Sequence, residues 1–378
     1  MQYDHLNFSP ARNQEFDFLR GIAILMTFMA HVDNFLAYPH KLKPIFTLSW
    51  GVGVDVFFVL SGFLITRSLL ESWSTYDRTR VFKIFWIKRI FRIMPASFLW
   101  IAVASITAYL CLPGQDNIGA ITISAAAAAA NVMNFYYSHC VTTNEVVGAC
   151  GGMMTLAIWW SLSLEEQFYI VFPIMLLLLK PRATWIVVAT VVLLYAVQHK
   201  VFFNWWDATR LEGICLGVLL GIAYKASKAI DLKQWGRTSR ATVGLLVLPL
   251  PMLFANLAKM YPDCTRGFDF AAITACFLLV FLASRNSSFF AFGLIAKCVS
   301  RLGKVSFSFY LCHSAVLAAL AYTFFNFLGY EPVLRHFGAY FVCSFVVSVL
   351  MASASFRFVE LPFIEMGRRI SDRARHRP

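Results

Sequence analysis

One histidine and one arginine share a helix face in the first long apolar segment of the chain. His31 follows Arg20 by eleven residues, close to three whole turns, so the two lie about 16 Å apart along a helix. An ionisable side chain inside an apolar span costs about 3 kcal/mol, which makes both residues candidates for function. With an unperturbed pKa of about 6.5, a histidine can accept a proton from a hydroxyl group at neutral pH. The alternative is a core histidine that bonds a neighbouring backbone carbonyl.

Two further arginines are spaced for binding phosphate. Arg89 and Arg92 are separated by three residues, so their guanidinium groups project from one helix face. Guanidinium groups bind phosphate oxygens in bidentate fashion, so such a pair suits a phosphorylated ligand. The alternative is that they set the orientation of the chain in a membrane, and taken alone the pair favours this second interpretation.

Two adjacent carboxylates, Glu165 and Glu166, lie between Ser161 and Tyr169 in another apolar segment. Neighbouring residues of a helix point in different directions, so at most one carboxylate lines a shared cavity. Spacing does not identify which one. A later apolar segment carries His313, for which a functional role and a hydrogen-bonded core position are equally compatible with the pattern.

Helices in a membrane must position these residues. Of the 378 residues, 59% are hydrophobic and 14% are charged, whereas soluble proteins carry about 25% charged residues. We therefore expect an all-α, polytopic membrane helical bundle that forms a single domain over residues 1–378. Eleven apolar stretches approach the length that crosses a bilayer, near 20–38, 50–68, 93–112, 118–137, 159–179, 183–198, 209–225, 241–258, 269–285, 305–328 and 336–356.

Basic residues indicate which of these stretches cross. The net charge of +13 could suggest a nucleic-acid partner, but Lys and Arg lie between the apolar stretches, where they set topology. Between Arg92 and Lys180 there is neither Lys nor Arg, and this interval contains the Ala-rich run 118–137. If that run is re-entrant or lies on the outer face, every basic cluster falls on the cytoplasmic side. We therefore predict about ten transmembrane helices, with both termini cytoplasmic.

The nine cysteines are scattered singly without a CxxC pair, so we expect no metal or redox site. Cys140 and Cys150 flank a polar loop that the predicted topology places outside. A disulfide is permitted there.

The ordered motifs of the chain resemble the acyltransferase 3 family of membrane-bound O-acyltransferases, which modify bacterial surface glycans. In this comparison Glu165, rather than Glu166, matches the family carboxylate. The residues around His313 depart from the family pattern, in which many members have Trp before the histidine and Pro soon after it. The matching segments are Phe16 to His31 with its Arg-x10-His spacing, Gly53 to Ile65, Arg89 to Arg92 followed by Pro95, Trp160 to Tyr169, Phe307 to His313, and Val359 to Phe363.

The resemblance implies an O-acyltransferase of the bacterial inner membrane, most simply an O-acetyltransferase, in the stand-alone form without an SGNH domain. It would move an acetyl group from cytoplasmic acetyl-CoA to a glycan such as lipopolysaccharide, or to an undecaprenyl-linked saccharide, with no metal. Arg20, Arg89 and Arg92 would bind the donor, and His31 and Glu165 would be catalytic toward the outer side. Residues expected to bind substrate or support the site are Asp17, Asp55, Ser161, Glu166, Tyr169 and His313.

Two mechanisms and one competing function fit these residues. His31 would act as the general base for direct transfer, or be acylated and pass the group outward. Glu165 would orient the acceptor hydroxyl or the imidazole, and Asp17 and Asp55 would hold the arginines and the second span. The competing class is a proton-coupled transporter or flippase of a glycan or lipid-linked sugar, because intramembrane His, Glu and Arg can line a proton path. The sequence shows no inverted repeat, which disfavours that class.

Overall fold

The protein is helical throughout the part that the computed structural model describes, which is residues 13–40, 48–73, 77–111, 118–143, 153–179, 184–190, 210–227, 232–290, 292–324 and 334–376. No strand occurs in these ranges, which confirms the predicted all-α class. The helices are α1 (Gln14–His40), α2 (Gly53–Trp73), α3 (Arg78–Cys111), α4 (Ile118–Ala129), α5 (Met133–Thr142), α6 (Met153–Leu156), α7 (Trp159–Leu179), α8 (184–190), α9 (Glu212–Ser227), α10 (Arg237–Val247), α11 (Leu250–Met260), α12 (Thr265–Ser284), α13 (Gly293–Lys304), α14 (Ser306–Tyr322), α15 (Leu334–Ser355) and α16 (Leu361–His376). A π-helical turn, Phe356–Glu360, joins α15 to α16.

The helices make this a multi-pass membrane protein. Among the described residues, six helical segments are long and apolar enough to cross a bilayer, and the bent pair α13–α14 would make a seventh. The predicted count of about ten is therefore not confirmed. The predicted stretches at 118–137 and 209–225 form helices that are too short to qualify, and 183–198 lies largely outside the described residues. The six segments are Trp50–Trp73, Arg78–Cys111, Trp159–Leu178, Arg237–Met260, Pro262–Ser284 and Phe337–Arg373.

The Ala-rich run is not one continuous span. Helix α4 has 12 residues, which is about 18 Å and short of the hydrocarbon thickness of about 30 Å. The chain then turns at Asn131, whose φ is 56°, before α5 begins. Cys140 on α5 is buried and disulfide-bonded. Cys150, with which the sequence permits a disulfide, lies outside the described residues.

Small residues bring the central helices into backbone contact. A Cβ atom on Gly217 of α9 would lie 2.2 Å from the carbonyl oxygen of Val59 on α2, and one on Gly62 would lie 2.1 Å from the carbonyl oxygen of Ile214. Such distances are below any real contact, so only glycine permits this approach of α2 and α9. Helix α1 packs against α2, α12, α13 and α14, which places Arg20 and His31 inside the bundle.

Helices α3 and α16 run antiparallel along each other. The indole N–H of Trp100 donates to the hydroxyl of Ser355, the last residue of α15, at 3.0 Å. Further along, Gly367 packs on Phe91, where an added Cβ would lie 2.7 Å from the Phe91 Cβ. The C-terminal helix is thereby held against the helix that carries Arg89 and Arg92.

Candidate active site

A cavity of about 470 Å³ lies among α1, α2, α3, α7, α14 and α16. Most of its charged residues are arginines, together with one lysine, and Glu165 is one of its acidic residues. It contains six of the site residues that the sequence predicts, which are Arg20, Arg89, Arg92, Ser161, Glu165 and Tyr169. The full lining is Arg20, Val54, Phe57, Phe58, Ser61, Leu64, Arg67, Ser68, Glu71, Lys88, Arg89, Arg92, Ile93, Ser161, Leu162, Glu165, Tyr169, Ser306, Phe307, Tyr310, Ile364, Arg368 and Asp372.

The cavity is long. On α2 its lining runs from Val54 to Glu71, seventeen residues that correspond to about 25 Å along a helix. Lining residues on this helix recur every three or four positions, so one face of α2 forms a continuous wall. A cavity of this length fits an extended ligand better than a compact one.

The predicted arginines converge on this cavity. Arg20 pairs with Asp17 at 3.6 Å, one turn earlier on α1. The guanidinium carbon of Arg89 lies over the Tyr169 ring, 4.6 Å from its centroid, which is a cation–π contact. Arg92, one turn after Arg89, lines the same space. Asp17 therefore holds a cavity arginine.

Glu165 and Glu166 have different surroundings. Glu165 lines the cavity, and one of its carboxylate oxygens accepts hydrogen bonds from the hydroxyls of Ser61 and Tyr169. Glu166 is buried outside the cavity lining. Spacing could not decide which of the two carboxylates lines the cavity, and the structure shows that it is Glu165.

His31 and His313 lie in contact with each other. Nδ1 of His31 is 2.8 Å from the carbonyl oxygen of Thr27, and Nδ1 of His313 is 2.7 Å from that of Tyr310. A carbonyl oxygen can only accept, so these contacts assign the hydrogen of each neutral ring to Nδ1. Nε2 of His313 lies 3.2 Å from Nδ1 of His31 and accepts from the same N–H group. Nε2 of His31 then keeps its lone pair, which can take a proton or attack a carbonyl.

The histidine pair lies just beyond the end of the cavity that Val54 lines, which we call the inner end. Gly53, next to the lining residue Val54, packs against Thr27 of α1, and His31 is four residues further, about 6 Å along the helix. Tyr310 connects the two: it lines the cavity, and its ring centroid lies 5.7 Å from that of His313. Its hydroxyl donates to the Ile158 carbonyl at 2.7 Å and lies 2.6 Å from the hydroxyl of Ser161.

This arrangement differs from the expected grouping. The sequence suggested that Glu165 lies with His31 on the outer side, but Glu165 lies among the arginines, and the partner of His31 is His313. Asp55, expected to hold the second span, pairs with Arg210 at 2.8 Å. That ion pair ties the start of α2 to the start of α9, and it lies outside the cavity lining.

Several lining residues were not predicted as site residues, although their positions carry a signal. Ser61 and Ser68 interrupt the apolar face of α2 at helical spacing, and Tyr310 precedes His313 by one turn. Arg67 and Lys88 were assigned to topology-setting charge, as were the basic residues of the C-terminal helix, among them Arg368. The structure shows that these three residues also line the cavity.

The bundle offers no evident metal site in its described ranges. There, no group of three or more His, Cys, Asp or Glu side chains is placed to hold a metal ion. The absence of a metal from the reaction remains a prediction.

A family model described as an acyltransferase domain, of the acyltransferase 3 family, matches residues 13–353. The chain belongs to this family. It therefore contains a membrane-embedded acyltransferase domain, and the cavity with its histidine pair is the candidate active site.

Curated relatives carry related names. The chain is 28% identical over 95% of its length to the O-acetyltransferase OatA of Staphylococcus aureus strain NCTC 8325, and covers 58% of that protein. It is 27% identical over 93% of its length to YrhL of Bacillus subtilis strain 168, provisionally named a peptidoglycan O-acetyltransferase, and covers 55% of it. A third, SAS0844 of S. aureus strain MSSA476, is provisionally named an O-acetyltransferase and is 29% identical over 97% of the chain, with 59% of that protein covered. The chain thus spans less than two thirds of these relatives. No solved structure matches it significantly.

Proposed function

We propose that this acyltransferase moves an acetyl group from cytoplasmic acetyl-CoA to a hydroxyl group of a cell-surface or lipid-linked glycan. The observation that carries the proposal is the long cavity, with arginines along it and a histidine pair beyond its inner end. The relatives named as O-acetyltransferases support the acyl group and the acceptor class.

The proposed donor matches the cavity in shape. Acetyl-CoA is an extended molecule with phosphates at one end and the thioester at the other, joined by the pantetheine arm. Arg20 and His31 are eleven residues apart on α1, about 16 Å along the helix. Phosphates bound at the arginines would therefore leave the thioester near the histidine.

The proposed donor also matches the cavity in charge. Guanidinium groups suit phosphates because they donate two parallel hydrogen bonds to anionic oxygens. Cationic residues outnumber acidic ones in the lining, so positive charge remains available to an anionic ligand. The cations are Arg20, Arg67, Lys88, Arg89, Arg92 and Arg368, and the acids are Glu71, Glu165 and Asp372.

In the proposed step, the acceptor hydroxyl attacks the thioester carbonyl carbon while Nε2 of His31 takes the hydroxyl proton. The tetrahedral intermediate then breaks its C–S bond, and the imidazolium of His31 returns the proton to the departing CoA thiolate. The Thr27 carbonyl and His313 keep the hydrogen on Nδ1, so the lone pair remains on Nε2. A positioned general base of this kind contributes about 10²–10⁴-fold to the rate.

The same lone pair would serve a covalent route. There Nε2 of His31 attacks the thioester carbonyl carbon, and the C–S bond breaks to release the CoA thiolate. The acceptor hydroxyl then attacks the acetyl carbon, the N–C bond to the ring breaks, and the hydroxyl proton passes to the thiolate. Acid quenching of enzyme mixed with labelled acetyl-CoA, without acceptor, separates the two routes. Labelled protein in amounts equal to the enzyme supports the covalent route, and unlabelled protein supports direct transfer.

We further propose that Glu165 acts on the donor side. It accepts hydrogen bonds from Ser61 and Tyr169, and the Tyr169 ring carries Arg89. Glu165 therefore positions a donor-binding arginine through Tyr169. This replaces the expectation that it orients the acceptor.

The experiment uses the full chain, purified and reconstituted, with acetyl-CoA labelled in the acetyl group and an isolated bacterial glycan as acceptor. The proposal expects the amount of label on the glycan to increase in proportion to time and to enzyme concentration. The label should appear when the donor is added on the face of the membrane that corresponds to the cytoplasmic side of the protein. Transport of an unmodified saccharide without transfer of label would support a flippase and contradict the proposal.

A further inference from the structure

A second cavity, of about 530 Å³, lies away from the active site, between the first turns of α10 and α13. Three cationic residues line it, Arg237 and Arg240 on α10 and Lys297 on α13. Among the described residues no acidic side chain lines it, and the other lining residues are Ser288, Phe292, Gly293 and Leu294. Its charge is therefore complementary to an anion.

The charge of this cavity is only partly balanced from within the protein. Glu15 of α1 interacts electrostatically with Arg240, but its carboxylate is buried and accepts a hydrogen bond from the Phe289 backbone N–H at 2.6 Å. Nε of Arg240 is buried and has no hydrogen-bond partner within the described part of the chain. Arg237 and Lys297 are exposed. Two cationic side chains thus remain for a ligand.

The backbone around the cavity also favours an anion. Neither α10 nor α13 has a side-chain hydrogen bond at its N-cap residue, so the first N–H groups of both helices lack that partner. Gly293, the first residue of α13, has a φ of 79°, a conformation that lets the chain turn into the cavity wall. The N-termini of α10 and α13 both lie at this cavity, and the helix dipoles add positive potential to that of the basic side chains.

The surroundings of the cavity are those of a membrane interface. Arg237 begins one of the six apolar spans, and α13 is bent by 78° from α14. Leu294 and Ile295 on α13 are 75% and 81% exposed, which is typical of a helix that lies along the bilayer surface. Leu245, eight residues into α10, is 69% exposed and lies about 12 Å deeper along that helix. An apolar surface thus leads from the basic cavity toward the hydrocarbon.

We propose that this cavity binds the headgroup phosphate of an anionic phospholipid. The phosphate would lie between Arg237 and Lys297, and the acyl chains would pass along the exposed leucine and isoleucine side chains. A lipid with a choline headgroup would bind less well, because its cation would meet the three positive side chains. The site is separate from acyl transfer, so the proposal does not rest on the donor or the acceptor.

The test measures lipid binding to the delipidated full chain by native mass spectrometry. Dioctanoyl phosphatidylglycerol and dioctanoyl phosphatidylcholine are compared, since their acyl chains are identical. The wild type should bind the anionic lipid at least about tenfold more tightly, since each basic residue near a surface adds to the attraction. The double variant Arg237→Gln with Lys297→Gln should bind phosphatidylglycerol about 10- to 30-fold more weakly.

The matched control is Arg266→Gln with Arg301→Gln, which removes two exposed arginines outside this cavity and should keep the wild-type preference. Equal binding of the two lipids by the wild type would overturn the proposal, as would an equal weakening in the control variant. Millimolar inorganic phosphate should not displace the lipid; displacement would assign the cavity to a free anion instead. Size-exclusion profiles matching the wild type confirm that both variants are folded.

Discussion

Arg368 lines the active-site cavity from α16, yet its guanidinium group makes no ion pair, hydrogen bond or ring contact within the described part of the chain. Other cavity cations have such partners: Arg20 pairs with Asp17, and Arg67 with Glu71 at 2.6 Å. Replacing Arg368 with Gln therefore removes a contact to the ligand without leaving a buried carboxylate unpaired. If the cavity binds acetyl-CoA, this change should weaken donor binding and leave the chemistry intact.

The size of the effect follows from the hydrogen bond that Arg368 would donate to a donor phosphate. A hydrogen bond to a charged group contributes about 1.5–3 kcal/mol, so the KM for acetyl-CoA should rise about 10- to 150-fold in the Arg368→Gln variant, where 1.4 kcal/mol is about tenfold. The kcat should stay near the wild-type value, because an interaction made equally in the ground and transition states changes KM alone.

Two comparisons make this prediction specific. Arg369→Gln removes the neighbouring guanidinium, which is exposed and outside the cavity lining, and should keep the wild-type KM. S-acetyl-pantetheine has no phosphate group, so its KM should be the same for wild type and Arg368→Gln. The assignment of Arg368 to the donor phosphates would be refuted by an unchanged KM for acetyl-CoA, or by an equal rise with both donors.

Three further changes test the remaining parts of the arrangement. Tyr169→Leu removes the ring beneath Arg89 and should raise the KM for acetyl-CoA about tenfold. Tyr169→Phe keeps the ring and should raise this KM less. Equal effects of the two changes would contradict the cation–π contact. Gly217→Ala places a Cβ 2.2 Å from the Val59 carbonyl oxygen and should cost about 1–3 kcal/mol of stability. The thermal midpoint of unfolding in detergent should therefore fall. Gly267→Ala is the control: a Cβ there has nothing within 4 Å, so the thermal midpoint should not fall. His313→Gln should reduce kcat because it removes the ring that accepts from His31 Nδ1, and an unchanged kcat would show that His313 is only a core residue.

Much of the candidate active site follows from a simple energetic argument on single residues. Arg20, Arg89, Arg92 and Glu165 are costly inside apolar helices unless they face a polar cavity, and the structure places all four around one cavity. The choice between Glu165 and Glu166 could not be made from spacing, because their directions depend on the rotation of α7 within the bundle. Family resemblance selected Glu165, and the structure places this residue in the cavity lining, in contact with Ser61 and Tyr169.

Other features depend on tertiary packing that local patterns do not encode. Helix α16 lies on α3 because Gly367 admits Phe91, and no pattern near Arg368 predicts that neighbour. The contact of His31 with His313 joins residues 282 positions apart, and each histidine alone was compatible with a core role. The predicted count of about ten spans is not confirmed, because the apolar stretch 209–225 forms a helix too short to qualify and 183–198 lies largely outside the described residues.

The proposed acyl transfer depends most on His31, which we propose as the group that accepts the hydroxyl proton beyond the inner end of the cavity. The decisive measurement is the steady-state rate of label transfer from acetyl-CoA to glycan by reconstituted His31→Gln, beside His139→Gln, whose exposed histidine on α5 is outside the cavity lining. We predict that His31→Gln lowers kcat by about 10²–10⁴-fold with little change in donor KM, and that His139→Gln keeps the wild-type rate. Full activity of His31→Gln would contradict the assignment of His31 as the base.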